Sequence, residues 1–343
     1  MIPETAQDKK SPRPAQRLAA VVLGLAILGI AAAAAAVFPV SLARGYAILA
    51  AWATLALSLY LEGLAFLFLG VFFSALTEFY LSREWLRRII PRAPLPAALA
   101  GVLLGLSFPA AGAGAAPLAR RLARLGAPVP TVGAFLLAAG ALNPITLLSG
   151  LAGGAAGTLF WSWLGTVFTA AALSAAVLGL HPQAESTLAA EVESAAQPEA
   201  DSEDVRRGGR FRLALRAAAD ELVDFGVYLL AGCGLAALAQ MLVPQTALAP
   251  AGHAPLAVML GAAVWGTIFS PGLVGGAAAI RGLAGVFPAG GLLVLHSAST
   301  SLALQNLPLA LRVFRLRYAA YLAILFLGLI LLAGVSLAAL GAR

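Results

Sequence analysis

Nine stretches of this 343-residue chain are almost wholly apolar: 18–40, 46–81, 95–118, 129–152, 156–180, 219–243, 255–280, 290–311 and 318–340. Most reach the ~20 residues that take a helix across bilayer hydrocarbon. Runs of that length select helices, because a span must satisfy its own backbone hydrogen bonds. Only 11% of the residues are charged and 61% are hydrophobic. Average soluble domains carry about 25% charged residues, so a water-soluble helical bundle is excluded. The expected fold class is an all-α integral membrane protein, with the lipid bilayer as its first partner.

The rarer residues narrow the chemistry. The one cysteine, Cys233, lies in an apolar run, which excludes a disulfide framework and a zinc site built on several thiolates. His181, His253 and His296 are far apart and form no HExxH pair. No metal, no cofactor and no catalytic set is expected, and no enzyme activity. The net charge of +7 reads as topology rather than nucleic-acid binding, because Lys and Arg orient membrane proteins. Lys9, Lys10, Arg13 and Arg17 precede a run at Leu18–Val40 that exceeds the 7–15 residue core of a secretory signal. It is expected as a retained first helix after a cytoplasmic tail, 1–17.

Segment 46–81 is too long for one crossing at 1.5 Å per residue, so a break near Gly63 is expected. A surface helix over 46–58 would then lead into a crossing at 59–81. The stretch 181–218 is the aqueous piece, with acids from Glu185 to Asp204 and arginines from Arg206 to Arg216. It reads as a charged cytoplasmic linker between a membrane half at 18–180 (repeat core 57–180) and a second at 219–340.

Arginine clusters flank segment 95–118, at Arg83–Arg92 and Arg120–Arg124. A full crossing would place one cluster outside. Pro109, Gly112, Gly114 and Pro117 instead suggest a broken, re-entrant hairpin over 95–125. A second hairpin over 255–288, entering from the other side, leaves 19 cations inside against Arg44, Arg281 and Arg343 outside. About seven transmembrane helices and two re-entrant hairpins result, with the N-terminus cytoplasmic.

The halves align at an offset of 162: Glu62 on Asp224, Phe66 on Tyr228, Gly70 on Gly232, Pro109 on Pro271 and Gly114 on Gly276. Further on the register slips by two, and Pro128 meets Pro288. The topology makes this an inverted repeat with paired broken helices, the pattern of secondary transporters whose sites lie where the breaks meet.

The stretches EGLAFLFLGVFFSALTEFYLSREWLRRIIP, LGLSFPAAGAGAAPLARRLARLGAPVPTVGAFLLAAGALNPITLL and ELVDFGVYLLAGCGLAALAQMLVP resemble the YraQ-like predicted permeases. That group includes the organoarsenical efflux permeases, and the resemblance covers most of 57–340. It implies a permease of the bacterial inner membrane. The family often has Cys-x-Cys-Gly between the hairpin prolines, where this chain has Ala111-Gly112-Ala113-Gly114. Thiolates hold soft ions such as trivalent arsenic, so the resemblance does not carry that cargo over.

Candidate site residues follow. Glu62 and Asp224 are acids in or near membrane segments, functional by default, and are expected to couple protons or cations. Gly112, Gly114, Gly275 and Gly276 could bare backbone N–H groups for an anionic group, or simply allow close packing. Pro109, Pro117 and Pro271 are expected to break helices. Asn143 precedes Pro144 and could satisfy a freed carbonyl or line the path. His296, Ser299 and Thr300 belong to the most polar patch of the second half. Arg120, Arg121, Arg124 and Arg281 read as topology anchors. The expected function is a secondary transporter or exporter of a small solute or ion by alternating access. The alternative is the membrane subunit of an ATP-driven complex, whose ATPase would be separate because no Walker motif is present. Association into a homo-oligomer is left open.

Overall fold

The computed structural model describes residues 42–152, 157–181, 188–189, 210–243, 255–270, 282–283 and 287–341. The expected first helix at 18–40, His253, Pro271, Gly275, Gly276, Arg281 and the acidic block of the linker lie outside the described residues. Among those described there is no strand, only an isolated bridge between Leu188 and Phe314. Residues from Trp52 onward form one compact unit, and the packing below concerns that unit.

Helix α1, Leu42–Tyr80, runs unbroken for 39 residues. The expected break near Gly63 is therefore corrected. Sharp kinks need Pro, a Gly/Ser pair or an inserted group, and a lone helical glycine costs only about 1 kcal/mol. Gly63 serves packing instead: a Cβ there would stand 3.1 Å from the Leu229 methyls.

Helix α2, Arg83–Ile89, opens at Ser82, whose hydroxyl accepts from the Trp85 N–H. Helix α3, Pro94–Ser107, follows at a bend of 112°. The chain then breaks at Pro109, makes a tight turn at Gly112–Gly114 and enters α4, Ala115–Arg124. Gly112 takes φ +45°, a conformation that favours glycine. Pro117 is not a breaker. It sits in the first turn of α4, where the missing N–H would lack an intrahelical partner anyway. The Arg83 guanidinium donates to the Arg124 carbonyl at 2.9 Å, so this segment starts and finishes at the same end of the bundle.

Helix α5, Val129–Ala141, stops at Asn143, and α6, Pro144–Ala152, follows. Next come α7, Thr158–Gly179, and α8, Arg210–Leu242. Helix α8 starts within the stretch read as linker, so Asp220 and Glu221 lie inside the helix rather than at its start. Helix α9 is Pro255–Ile268 and α10 is Ala289–Ser301. The expected crossing at 290–311 is corrected as well. The chain leaves α10 at Leu302, turns at Leu304–Asn306 and makes the short α11, Leu307–Ala310. Pro308 sits in the first turn of α11, where a missing N–H is tolerated. Helix α12, Leu316–Gly341, ends the described chain.

Among the described residues five helices are long and apolar enough to cross a membrane, or six if the bent α2–α3 pair counts as one span. Of the seven expected crossings, five correspond to these helices, 290–311 is broken, and 18–40 lies outside the described residues.

The repeat is visible in the elements. Helices α3 and α9 have 14 residues each and begin at proline. Helices α5 and α10 have 13 each, behind Pro128 and Pro288. Gly105 of α3 abuts Ala138 of α5, and Gly266 of α9 abuts Ala298 of α10. Helices α1 and α8 pack in opposite directions: Trp52 donates to the Gly234 carbonyl, and Ser74 to Glu221. Antiparallel pairing of equivalent helices is the geometry an inverted repeat requires. Gly140 of α5 touches the Thr300 carbonyl of α10, and these positions match in the Pro128/Pro288 register. Equivalent residues in contact lie beside the axis relating the halves, so the C-terminal ends of α5 and α10 meet there.

Small residues set these approaches. A Cβ at Gly70 would overlap the Gly114 carbonyl, whereas nothing lies within 4 Å of one at Gly165 in α7. Gly70→Ala should therefore destabilise the protein by about 1–3 kcal/mol. Gly165→Ala should leave it unchanged or add up to about 1 kcal/mol. Thermal unfolding of the two variants in the same detergent checks this.

Candidate functional site

Two polar centres stand out in the apolar bundle. The first is a cavity of about 40 Å³ beside the contact of α5 with α10. Helix α1 contributes Glu62, Gly63 and Phe66, and the turn before α4 contributes Ala111, Gly112 and Ala113. Gly140, Ser270, Ser299 and Thr300 come from the ends of α5, α9 and α10, followed by Ala303, Gln305 and Asn306. Of the residues expected from the sequence, Glu62, Gly112, Ser299, Thr300, Ala111 and Ala113 come together here. The alanines at the family's cysteine positions thus line the same cavity as the membrane acid.

Hydrogen bonds define what the walls offer. The Ser270 hydroxyl donates to the Ser299 carbonyl at 3.0 Å. Ser299 and Thr300 donate to the His296 carbonyl at 3.0 and 2.8 Å. Each hydroxyl proton is thereby committed to backbone, leaving oxygen lone pairs. Gln305 Oε1 and Asn306 Oδ1 are buried without a hydrogen-bond partner. Among the described residues that line the cavity there is no Lys, Arg or His, and Glu62 is the one charged side chain.

Six expected site residues stand outside it: Asn143, His296, Gly114, Pro109, Asp224 and Pro117, the last in the first turn of α4. Asn143 is fully buried and caps the break. Its Nδ2 donates to the Ala139 carbonyl at 3.0 Å and to Thr146 Oγ1 at 2.9 Å, and its Oδ1 accepts from the Thr146 N–H at 3.0 Å. His296 packs its ring on Trp163 at 4.5 Å, with Nδ1 buried and unpartnered. Gly114 packs against Gly70, and its own Cβ would meet the Phe66 carbonyl. Pro109 lies at the chain break itself.

Asp224 belongs to the second centre. Arg120 donates to Glu221 and to Asp224, each at 3.2 Å, and Arg312 also pairs with Asp224. Ser74 donates to Glu221 at 2.9 Å and to the Pro117 carbonyl at 3.3 Å. The Arg120 guanidinium lies 4.6 Å over Phe225, and that of Arg312 lies 4.5 Å over Tyr228. Two cations and two anions, nearly all buried, tie α1, α4, α8 and the segment after α11. Arg120 is therefore more than the topology anchor it resembles in sequence.

A third feature adjoins the first. An apolar cavity of about 280 Å³ shares Gly112, Gly140, Thr300, Ala303 and Asn306 with the polar one and continues along Leu136, Leu322 and Leu327.

Several of these residues escaped sequence reasoning: Ser270, Gln305, Asn306, Glu221 and Arg312. One signal was available. Each half places an Asn just before a Pro after its 13-residue helix, Asn143-Pro144 and Asn306-Leu307-Pro308. That pattern marks a second break.

A family model described as "Predicted permease" matches residues 48–338. The chain belongs to that permease family. A relative from Bacillus subtilis (strain 168), "UPF0718 protein YcgR", is 38% identical over 93 residues. Those residues are 27% of this chain and 32% of the relative, so the chain spans about a third of that protein. A Streptococcus mutans protein named "Putative two-component membrane permease complex subunit" is 29% identical over 208 residues, 60% of this chain and 67% of that one. No solved structure matches. Family membership and the apolar helices make this an integral membrane protein of the permease class.

The ion cluster generates a stability prediction. Removing one partner of a buried pair strands the other charge and costs about 3–5 kcal/mol. Asp224→Asn or Arg120→Met should each lower the unfolding temperature and the membrane abundance of a fluorescent fusion. Glu62→Gln, which stands outside the cluster, should lower neither.

Proposed function

We propose that this protein is an inner-membrane permease, a secondary transporter that exports a small solute by alternating access around the cavity at Glu62. The observation that carries the reading is the meeting of interrupted helices from both halves at one polar cavity. Discontinuous helices at a repeat interface are where secondary transporters hold substrates and coupling ions. Glu62 is the coupling acid in this reading. The Arg120–Glu221–Asp224–Arg312 cluster holds the segment ends together on the arginine-rich side, which we place in the cytoplasm with the N-terminus. With alanine at 111 and 113, the cavity lacks the thiolates that would retain a thiophilic cargo.

The name of the Streptococcus relative favours a second reading, a membrane subunit working with a partner protein. Mild purification from the native membrane separates the two. A stoichiometric nucleotide-binding partner supports the complex, and transport by the purified chain alone in proton-loaded vesicles supports the secondary transporter.

The cavity's place on the path is tested by labelling. Cys233 is fully buried and is replaced by Ser to give a silent background. Ala111→Cys should then react with a membrane-impermeant thiol reagent both in whole cells and in inside-out vesicles. Protection from both sides would sink alternating access at this cavity.

A further inference from the structure

The side chains lining the polar cavity offer one carboxylate, several hydroxyl oxygens and the amides of Gln305 and Asn306. Its hydroxyl protons are spent on backbone carbonyls, and two amide oxygens face no donor. Among the described lining residues Glu62 adds the one formal charge, and it is negative. Helices α5, α9 and α10 all end at its wall, through Gly140, Ser270, Ser299 and Thr300. A helix C-terminus carries roughly half a negative charge, and its last carbonyls have no intrahelical donors.

We propose that this cavity binds one monovalent cation through oxygen ligands, either a bare alkali ion or the ammonium head of a small apolar solute. The proposal deepens the permease reading above, because it names the charge class of the ligand at the same cavity. A single carboxylate among neutral oxygens suits one positive charge, while calcium sites gather more carboxylates. An anion would meet the Glu62 carboxylate with no cationic side chain among the described lining residues to balance it. The volume of about 40 Å³ takes an ion or an ammonium group with little water. The adjoining apolar cavity of about 280 Å³ has room for a hydrocarbon or aromatic body attached to that head.

Gln305 makes the proposal separable from folding. A buried acceptor without a donor lowers stability, and such a group in a folded protein calls for a role or an absent ion. Replacing Gln305 by Leu removes the unsatisfied oxygen at similar size. A merely structural Gln305 would lose nothing but strain, whereas a ligand would lose affinity.

The full chain, purified in detergent, is unfolded thermally at constant ionic strength. The titrants are sodium chloride against the chloride of the bulky, polar cation N-methyl-D-glucamine, benzylammonium chloride, benzyl alcohol and N-methyl-D-glucamine benzoate. The expected result is a saturable rise in unfolding temperature with sodium or with benzylammonium. Gln305→Leu should fold at least as stably as the parent. Gln305→Leu and Glu62→Gln should each bind the active cation roughly tenfold or more weakly. A response to sodium assigns the bare ion, and a response to benzylammonium alone assigns the solute's head group. The proposal is overturned if neither cation stabilises the protein. It is equally overturned if benzyl alcohol or benzoate acts as strongly as benzylammonium, or if both variants keep the parent's affinity. Binding without transport in vesicles would sink the permease reading alone, and transport by a chain indifferent to cations would sink this proposal alone.

Discussion

Helix ends buried in an apolar bundle are the constraint on which this structure turns. The last four carbonyls of any helix have no intrahelical donor, and a carbonyl left in hydrocarbon costs several kcal/mol. Helix α5 stops inside the bundle, and α9 and α10 end half-buried beside it. Asn143 supplies the Ala139 carbonyl at the end of α5. Gln240 of α8 reaches the Ile268 carbonyl at the end of α9 at 3.0 Å. Ser301 of α10 turns across to the Leu137 carbonyl of α5 at 3.1 Å. What these side chains leave unsatisfied faces a small cavity. The polarity of that cavity is therefore a consequence of where the helices stop.

The stops are possible because glycines let backbones touch. Gly70 on Gly114, Gly140 on Thr300 and Gly232 on the Gln305 carbonyl leave no space for a methyl group. In lipid there is little hydrophobic gain in joining helices, so close van der Waals contact and interhelical hydrogen bonds do that work. The Gly232 contact also fixes the turn that carries Gln305 and Asn306 into the cavity. A single ion cluster then anchors the far ends. Its formal charges cancel, and aromatic faces at Phe225 and Tyr228 cover its arginines. Scaffold and site thus use different polar residues, and their mutations should separate in stability and in binding.

Much of the site was legible in the sequence, and the misses have physical causes. Glu62 stood out because an acid in an apolar run is costly. Gly112 and the serine and threonine pair after His296 stood out because they interrupt apolar helices. Asp224 looked like the symmetric partner of Glu62, and its position in the repeat is equivalent. Its surroundings are not, because Arg120 and Arg312 reach it from distant segments while Glu62 faces the cavity. Sequence symmetry constrains backbone more strongly than it constrains ion pairing. The unbroken α1 was missed because length was weighed above the absence of a proline. The break after Ser301 was missed because 290–311 was read as one apolar run although Gln305 and Asn306 interrupt it.

The residues by themselves determined that this chain lives in a bilayer as helices, that it repeats, and that its hairpin lacks thiolates. Those properties follow from composition, run length and spacing, which no fold alters. Only the tertiary structure decided which polar groups meet. Glu62, Ser270, Thr300, Gln305 and Asn306 are scattered along the chain yet line one cavity, while Asp224 is drawn into an ion cluster. The reason is that a polar side chain in an apolar interior takes its role from the partner within reach, and that reach is set by where helices stop and how closely their glycines let them approach.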